Sequence, residues 1–407
     1  MEFIKSIELL DKAKKIVPVQ SQTFSKSWKY FPLGTTPVYL QRGNGSHAWD
    51  IDGNEFIDWI CGLGPITLGY NYSKVNDAIE RQLHDGISFS LPHPLEVELA
   101  ELLNSIILCA DMVRFSKNGT DVTNAAVRLA RAYTCRDKIA YFGYHGGGSD
   151  WYGITTEKPA GIPAVLRGNA ILFEYNNLDS LEAIFEHNQI AAVIMEPMIV
   201  VFPHQGFLKK VKELCEQNGA LLIFDEIVTG FRMSLGGAQQ YFNVVPDLAT
   251  FGKGMANGMP LSALVGKAHI MKYLPDVFFS YTFAGECLSL AAGIATITEM
   301  QDKDTIAHCW EIGKALRAGL KILGLETLGY DSRPYVVMPN DQVWKSKLLE
   351  QMFQRGVMLH LGGLINICYS HTIEDVNFTL NAFEDVLKII DKVELKGKVA
   401  SAAFKRL

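Results

Sequence analysis

From about residue 95, the sequence alternates short, continuously apolar runs with segments of helical periodicity. Strands are expected at residues 112–115, 138–142, 191–195 and 220–224, and helices at residues 95–108, 120–133 and 207–217. Strands that are apolar along their whole length are buried on both faces, which is typical of a parallel sheet covered by helices on both sides. This alternation therefore predicts an α/β fold.

The two ends of the chain have different patterns. Residues 38–41 and 48–58 predict two strands around the Asp52-Gly53 turn. Beyond about residue 296 the pattern is helix-rich, with helices expected at residues 308–323, 342–355 and 373–393. A chain of 407 residues is too long for one simple core. We therefore expect a second, smaller domain in the C-terminal part.

Charge and cysteine usage narrow the class of protein. A net charge of −6, with 20% charged and 48% hydrophobic residues, is ordinary for a globular protein and gives no reason to expect nucleic acid or a membrane as partner. The N-terminus lacks a signal-peptide core, and no apolar run reaches membrane-spanning length. The seven cysteines show no Cys-x-x-Cys spacing, which indicates reduced, mostly buried thiols in a cytoplasmic protein.

The segment 248–260 carries a single lysine, Lys253, among glycine and apolar residues. Most lysines are solvated surface charges, so one interpretation is that Lys253 is an ordinary surface lysine. Apolar surroundings, however, disfavour the ammonium form and make the amine available, as Schiff-base chemistry requires. The flanking Gly252 and Gly254 let a bulky cofactor lie against the backbone. A Walker loop is excluded because no glycine stands five positions before Lys253 and no serine or threonine follows it.

Asp225 and Glu226 directly follow the predicted strand 220–224. Their carboxylates are therefore expected at the carboxyl edge of the sheet, where open α/β sheets bind their ligands. The alternative, which is equally compatible with this pair alone, is that the carboxylates cap the backbone of the next segment. Glycosidase-type acid–base catalysis is excluded because neighbours on one chain segment do not face each other across a bond.

Two glycine-containing turns complete the predicted site. Asn118-Gly119-Thr120 connects a strand to a helix, and the N–H groups of the helix N-terminus would bind a phosphate; an ordinary turn with an N-cap is the alternative. Tyr144, in the glycine-rich loop 143–148, is suited to stacking on a planar cofactor. His145 has no second ligand at metal spacing, so we favour a role in the cofactor loop and expect no metal.

These motifs, in this order, resemble the class III aminotransferases that depend on pyridoxal 5'-phosphate (PLP), and most closely the glutamate-1-semialdehyde aminomutase branch. The most specific stretches are DEIVTGFR from residue 225, VPD at 245–247 and FGKGMANGMP from residue 251. The resemblance implies the fold type I of PLP-dependent transferases, in which a mostly parallel seven-stranded sheet is covered by helices. It also implies a large domain at 69–296 and a smaller α+β domain built from both termini, at 1–68 and 297–407.

The resemblance also implies roles for single residues. Lys253 matches the lysine that holds PLP covalently and shuttles protons, and Asp225 matches the partner of the pyridine nitrogen. The implied cofactor contacts are the phosphate turn Asn118, Gly119 and Thr120, the ring-stacking Tyr144 with its loop neighbour His145, and Val228 on the opposite ring face. Thr282 matches a threonine that reaches the phosphate of the neighbouring subunit, which implies a homodimer with shared active sites.

The substrate-holding positions depart from the aminomutase pattern. Residues 20–32 contain Lys26 and Trp28 but no arginine that could read a carboxylate through a bidentate fork. The usual Gly-Asn-Pro after the phosphate threonine is Gly285-Glu286-Cys287 here. Lys26, Trp28 and Glu196 remain the candidate substrate contacts.

Three functions are compatible with these residues. We favour an intermolecular aminotransferase that uses a small-molecule amino donor and an aldehyde or ketone acceptor, of a sugar type or another polar carbonyl. The alternative is an aminomutase that moves an amino group within one molecule. A non-catalytic scaffold is disfavoured because it has no use for both Lys253 and Asp225.

Overall fold

The computed structural model describes residues 1–401. Its strands are β1 (Leu40–Asn44), β2 (His47–Asp50), β3 (Glu55–Asp58), β4 (Met112–Ser116), β5 (Lys138–Phe142), β6 (Ala170–Leu172), β7 (Ile190–Met195), β8 (Leu221–Asp225), β9 (Leu248–Phe251), β10 (Ser262–Gly266), β11 (Thr327–Tyr330), β12 (Arg333–Val336) and β13 (Val357–Met358). Its helices are α1 (Ile4–Ile16), α2 (Ser73–Asp85), α3 (Pro94–Ile106), α4 (Gly119–Thr134), α5 (Asp150–Gly153), α6 (Leu178–His187), α7 (Phe207–Gln217), α8 (Ala238–Tyr241), α9 (Ala268–Met271), α10 (Cys287–Asp302), α11 (Thr305–Ile322), α12 (Gln342–Phe353) and α13 (Ile373–Ile389).

The chain forms two compact units, one from residues 73–303 and one from residues 1–72 together with the segment that starts at residue 304. These limits differ from the expected limits at residues 68 and 296. Helix α10 explains the second difference, because it continues without a break from Cys287 to Asp302 and so carries the first unit past residue 296.

The unit of residues 73–303 contains the seven-stranded sheet, in the order β4-β10-β9-β8-β7-β5-β6. All neighbouring strands pair in parallel except β10, which is antiparallel to both β4 and β9. Every residue of β7, β8, β9 and β10 is buried. Continuous burial explains why these strands are apolar along their whole length, and the α/β prediction is confirmed.

Helix α3 begins at residues that are suited to a helix N-terminus, and α4 begins shortly after a strand of the sheet. Helix α3 starts at Pro94, where the missing N–H costs nothing, and His93 accepts a hydrogen bond from the N–H of Leu95. Helix α4 starts after Asn118 and packs Val122, Ala126 and Leu129 among other buried residues of the sheet core. The positions of β4 and α4 fix the turn between them.

The second unit contains a four-stranded sheet in the order β1-β2-β3-β13 and the two-stranded sheet β11-β12. Strands β2 and β3 pair antiparallel across the predicted Asp52-Gly53 turn, where Gly53 has a φ of +94°. The core includes Phe56 and Trp59 from the N-terminal segment and Phe383 from α13. Within residues 1–401, no helix combines the length and the hydropathy that a bilayer crossing requires.

Candidate active site

Four neighbouring parallel strands, β5, β7, β8 and β9, end at the same level of the large sheet. Phe142 pairs with Met195, Met195 pairs with Phe224, and Asp225 pairs with Thr250. The residues that follow these ends are Tyr144 and His145, Glu196, Asp225 itself, and Lys253. The register therefore brings these sequence-predicted residues to one edge of the sheet, where α/β sheets bind ligands.

Asp225 is buried at the end of β8, with 2% of its surface exposed. Its Oδ2 lies 2.7 Å from Nδ1 of His145, and its Oδ1 accepts hydrogen bonds from the N–H of Ile227 at 3.1 Å and from Oγ1 of Thr250 at 3.3 Å. Three described contacts therefore fix the orientation of this carboxylate.

His145 connects the glycine-rich loop to Asp225. Its Nε2 lies 3.1 Å from the carbonyl oxygen of Phe142, so both ring nitrogens face hydrogen-bond acceptors. Asp225 and His145 therefore form a buried hydrogen-bonded pair, a partnership that the sequence did not reveal because 80 positions separate the two residues.

Lys253 has an unusual backbone. It follows Gly252, opens a 3-10 turn over Lys253–Ala256 and has a φ of +39°. This left-handed region is uncommon for residues other than glycine, and backbones of this kind concentrate at functional sites. The lysine is half-buried, while Gly252, Gly254 and Met255 around it are buried. Lys253 therefore lies in a glycine-flanked turn between buried residues of the chain.

The turn between β4 and α4 is held by Asp121 in the first turn of the helix. Its Oδ2 accepts hydrogen bonds from Oγ of Ser116 and from the N–H of Asn118, both at 2.8 Å. Oγ of Ser262 donates to the carbonyl oxygen of Asn118 at 2.9 Å. Since α4 has 16 residues, its N-terminus at Gly119 and Thr120 carries a substantial positive end of the helix dipole, which favours a phosphate.

The glycine-rich loop lies against this turn. The N–H of Gly148 donates to Oγ1 of Thr120 at 3.1 Å. A Cβ on Gly146 would lie 2.8 Å from the side chain of Thr120, and a Cβ on Gly148 would lie 2.9 Å from it. The backbone can approach Thr120 this closely only because both positions are glycine. The turn and the loop together form a narrow cradle whose donors and dipole fit a phosphate group.

Glu196, a candidate substrate contact, supports the cofactor loop. Its Oε2 accepts the N–H of Tyr144 at 2.8 Å, and its own N–H donates to the carbonyl oxygen of Phe142 at 3.1 Å. A Cβ on Gly143 would lie 2.7 Å from the same Oε2. The contacts of Glu196 thus fix the backbone of residues 142–144, and with it the position of the Tyr144 ring.

Glu226 plays a different part from Asp225, its neighbour in sequence. It is fully buried, and its carboxylate accepts the N–H groups of Ala238 at 2.7 Å and Gln239 at 2.8 Å and the hydroxyl of Thr229. Burial raises the pKa of Glu226 to about 7, although these hydrogen bonds act in the opposite direction. Glu226 therefore caps the start of α8, and the role of Asp225 as a ligand contact stays a prediction.

The remaining predicted residues are less closely connected to this edge. Val228 is half-buried in the turn after β8, and Thr282 is exposed in the segment before α10. Lys26 and Trp28 belong to the other unit, where Lys26 is exposed and Nε1 of Trp28 donates to Oε1 of Gln20 at 3.1 Å.

Comparison with known proteins identifies the family. The family model described as "Aminotransferase class-III" matches residues 30–387. The chain belongs to the class III aminotransferases. Like other members, this class III aminotransferase is an enzyme that depends on PLP and on its amine form, pyridoxamine phosphate.

Two relatives are similar along almost the whole chain. The 3-aminobutyryl-CoA aminotransferase of Cloacimonas acidaminovorans is 37% identical, with 97% of this chain and 99% of the relative covered. The glutamate-1-semialdehyde 2,1-aminomutase of Alkaliphilus oremlandii is 35% identical, with 95% and 99% covered. The class III family therefore includes both an aminotransferase and an aminomutase whose sequence identities to this chain are similar.

A solved structure agrees with the fold. The FumI protein of Sphingopyxis sp. MTA144, in its PLP internal aldimine form, is 29% identical and superposes with a TM-score of 0.89 over 96% of this chain and 98% of that chain. The predicted fold type I architecture and the predicted cofactor are both confirmed.

Proposed function

We propose that this aminotransferase holds PLP through Lys253 and pairs the pyridine nitrogen of the cofactor with Asp225. The observation that carries the proposal is the register of β8 and β9. Asp225 pairs with Thr250, and Lys253 follows shortly after Thr250 on the same edge. PLP bound here supplies an electron-withdrawing ring to the carbon that carries the amino group.

Asp225 is suited to keep that ring nitrogen protonated. Its carboxylate is buried, and it is oriented by His145, Thr250 and the N–H of Ile227. A negative charge fixed in a dry site stabilises a positive charge beside it more strongly than it would in water.

Lys253 provides the amine that attaches the cofactor and moves protons. Once an amino donor has displaced it, the amine of Lys253 is free to take a proton from the substrate carbon and return it one atom away. Gly252 and Gly254 on its two sides carry no side chains that would compete with the cofactor for space.

The phosphate of the cofactor would bind at Asn118, Gly119 and Thr120. The N-terminus of α4 points its free N–H groups there, and the close contact of Gly146 and Gly148 with Thr120 shapes the cradle. Tyr144, whose backbone is fixed by Glu196, would lie on one face of the ring, and Val228 on the other.

We further propose transfer between two molecules, from a small amino donor to an aldehyde or ketone with polar groups. The support is the absence of arginine from residues 20–32, where Lys26 and Trp28 are the candidate substrate contacts. Lysine supplies charge but lacks the planar fork that recognises a carboxylate. An aminomutase is the second candidate, because a relative with that name is 35% identical over nearly the whole chain.

A homodimer completes the proposal. Thr282 is exposed together with its neighbours Tyr281 and Phe283, and Phe278 is 84% exposed. A groove next to them is lined by Val97, Met112 and Tyr281, among other residues. A second copy of the chain would cover these apolar side chains and bring Thr282 to the phosphate of its partner. Light scattering after size-exclusion chromatography should give the mass of two chains; the mass of one chain would contradict the dimer.

Borohydride reduction tests the cofactor site. Reduced and digested holoenzyme should carry a phosphopyridoxyl group on the peptide of Lys253 and on no other lysine, and Lys253→Ala should carry none. A label on another lysine would refute the assignment.

Screening amino donors with and without carbonyl acceptors distinguishes an aminotransferase from an aminomutase, because an aminomutase needs no external donor and yields an isomer.

A further inference from the structure

A second group of reactive side chains lies in the other unit. Cys61, Cys368 and His371 are buried with at most 1% of their surface exposed, and one sulfur or ring nitrogen atom from each lies within 4.8 Å of the others. Cys61 comes from the N-terminal segment and Cys368 from the loop before α13. The amino-transfer chemistry uses none of these three residues.

His371 directs a lone pair at the sulfur of Cys368. Its Nδ1 accepts the N–H of Cys368 at 3.0 Å and lies 3.2 Å from Sγ of the same residue. Burial lowers the pKa of His371, but the charge and the hydrogen bond of Cys368 outweigh it and raise this pKa above its ordinary value. The ring stacks on Trp59, with centroids 4.1 Å apart and planes at 9°, which fixes its orientation. Nδ1 is therefore placed as a base for the thiol of Cys368.

Cys61 is held toward the same point by its backbone. It begins a 3-10 turn at Cys61–Leu63 with a φ of +49°, a conformation uncommon for a residue with a side chain. Oδ1 of the buried Asp58 accepts the N–H groups of Ile60 at 2.7 Å and Cys61 at 3.1 Å. Sγ of Cys61 lies 3.2 Å from the carbonyl oxygen of Asn366, two residues before Cys368. The fold thus fixes two thiols side by side.

We infer that Cys61 and Cys368 form a modification site, at which a small peroxide oxidises the two thiols to an internal disulfide. The proton of the Cys368 thiol passes to Nδ1 of His371, and the sulfur attacks one oxygen of hydrogen peroxide. The O–O bond breaks, the second oxygen takes the proton back from Nδ1 and leaves as water, and Cys368 becomes a sulfenic acid. Sγ of Cys61 then attacks that sulfur, the S–O bond breaks, and the hydroxyl group takes the thiol proton of Cys61 and leaves as a second water. Two thiols lose two electrons and two protons to one peroxide.

A bound metal ion is disfavoured by the number of ligands that the group offers. The group offers three ligands, whereas buried structural zinc sites are usually closed by four.

The test uses the full-length holoenzyme, treated with hydrogen peroxide, denatured in N-ethylmaleimide and digested without reductant. Mass spectrometry should find the peptides of Cys61 and Cys368 joined, two hydrogens lighter than their sum, and separated again by dithiothreitol. Cys135→Ser removes a thiol that is exposed and should leave the cross-link unchanged. Cys61→Ser and Cys368→Ser should each abolish it.

His371→Asn separates the chemical role of the ring from its structural role. Asparagine can accept the N–H of Cys368 but is not a base, so the cross-link should form at least about tenfold more slowly. An unchanged rate would overturn the role of His371. Oxidation of Cys135 by peroxide shows that the treatment was sufficient. If Cys61 and Cys368 are then still fully alkylated, the proposed disulfide is overturned. A stoichiometric metal that is present in the purified protein and absent from Cys368→Ser would also overturn it.

Discussion

Nζ of Lys117 lies 2.7 Å from Oε2 of Glu286, and the two side chains are only 16% and 13% exposed. Lys117 precedes the phosphate turn, and Glu286 accepts the N–H of Ser289 at the start of α10. The pair therefore ties the phosphate turn to the segment of Thr282. Burial raises the pKa of Glu286, but the hydrogen bonds from Lys117 and Ser289 outweigh it and hold the pKa below its ordinary value.

Lys117→Met should destabilise the protein and weaken PLP binding, because it leaves the charge of Glu286 partly buried without its partner. We expect a loss of about 1–3 kcal/mol in the free energy of unfolding. Denaturant unfolding and titration of the apoenzyme with PLP measure the two effects. Lys209→Met is the control, since that side chain is 76% exposed. Equal free energies of unfolding and equal PLP affinities in Lys117→Met and Lys209→Met would show that the Lys117–Glu286 pair is dispensable.

Asp225→Ala should retain part of the PLP binding but lose transamination by about 10²–10³-fold or more, because the charge that opposes the ring nitrogen is gone. Steady-state rates and the absorbance of the bound cofactor measure this. Asp385→Asn, on a 66% exposed side chain, should leave the rate unchanged. Turnover near the normal rate in Asp225→Ala would contradict the assigned role.

His145→Gln tests whether the contact between His145 and Asp225 orients the carboxylate. Glutamine can still donate a hydrogen bond but lacks the rigid ring, so the rate should fall by less than in Asp225→Ala, while the PLP affinity remains close to normal. Loss of PLP binding in place of loss of rate would instead indicate a purely structural role in the loop.

Gly146→Ala and Gly148→Ala should weaken PLP binding, because each new Cβ would lie less than 3.0 Å from Thr120 and would push the loop from the phosphate turn. Gly147→Ala is a matched control in the same loop, since its Cβ would meet nothing closer than Oη of Tyr144 at 3.9 Å. The dissociation constants for PLP, measured by cofactor fluorescence, should separate the first two variants from the third. Similar dissociation constants for all three variants would refute the role of this loop in forming the phosphate site.

His47 should make the stability of its unit depend on pH. Its Nε2 lies 3.3 Å from Oδ1 of Asp375 and its Nδ1 lies 2.9 Å from Oε1 of Glu55. The hydrogen bond to Asp375 is the main cause that raises the pKa of His47. A raised histidine pKa stabilises the fold below the ordinary pKa, and this contribution is lost as pH rises through the higher, folded-state value.

For this partly exposed pair we expect at most about 1 kcal/mol. The Tm of wild type should therefore fall between pH 6 and pH 9 by more than that of His47→Gln. Parallel curves for the two proteins would exclude the ion pair as a source of the pH dependence.

The local sequence pattern was sufficient to predict most strands of the large sheet. The strand at residues 138–142 and the helix at residues 207–217 lie where they are predicted, because continuous apolar runs and helical periodicity are local properties. Strand β10 was missed, since Ser262–Gly266 follows the lysine loop without a helix before it. Its antiparallel direction depends on pairing with β4 and β9, which no local pattern encodes.

In the active site, the sequence identified residue types at strand ends but not their partners. Asp225 and Lys253 stood out because a carboxylate and an amine rarely occur in such apolar or glycine-rich segments. The partners His145 and Thr250 are ordinary polar residues whose role depends on the register of neighbouring strands. The contact of Cys61 with Cys368 could not be predicted for the same reason, because it joins distant segments.

The pairing of Val357 in β13 with Ile57 in β3 has a consequence for biosynthesis. A ribosome releases β3 early, then the whole of residues 73–303, and only later the strand that completes the smaller sheet. Residues 73–303 hold every strand of their own sheet and can close it while translation continues. Meanwhile β3 presents an open edge, and a chain interrupted before residue 357 would retain that edge as a starting point for aggregation.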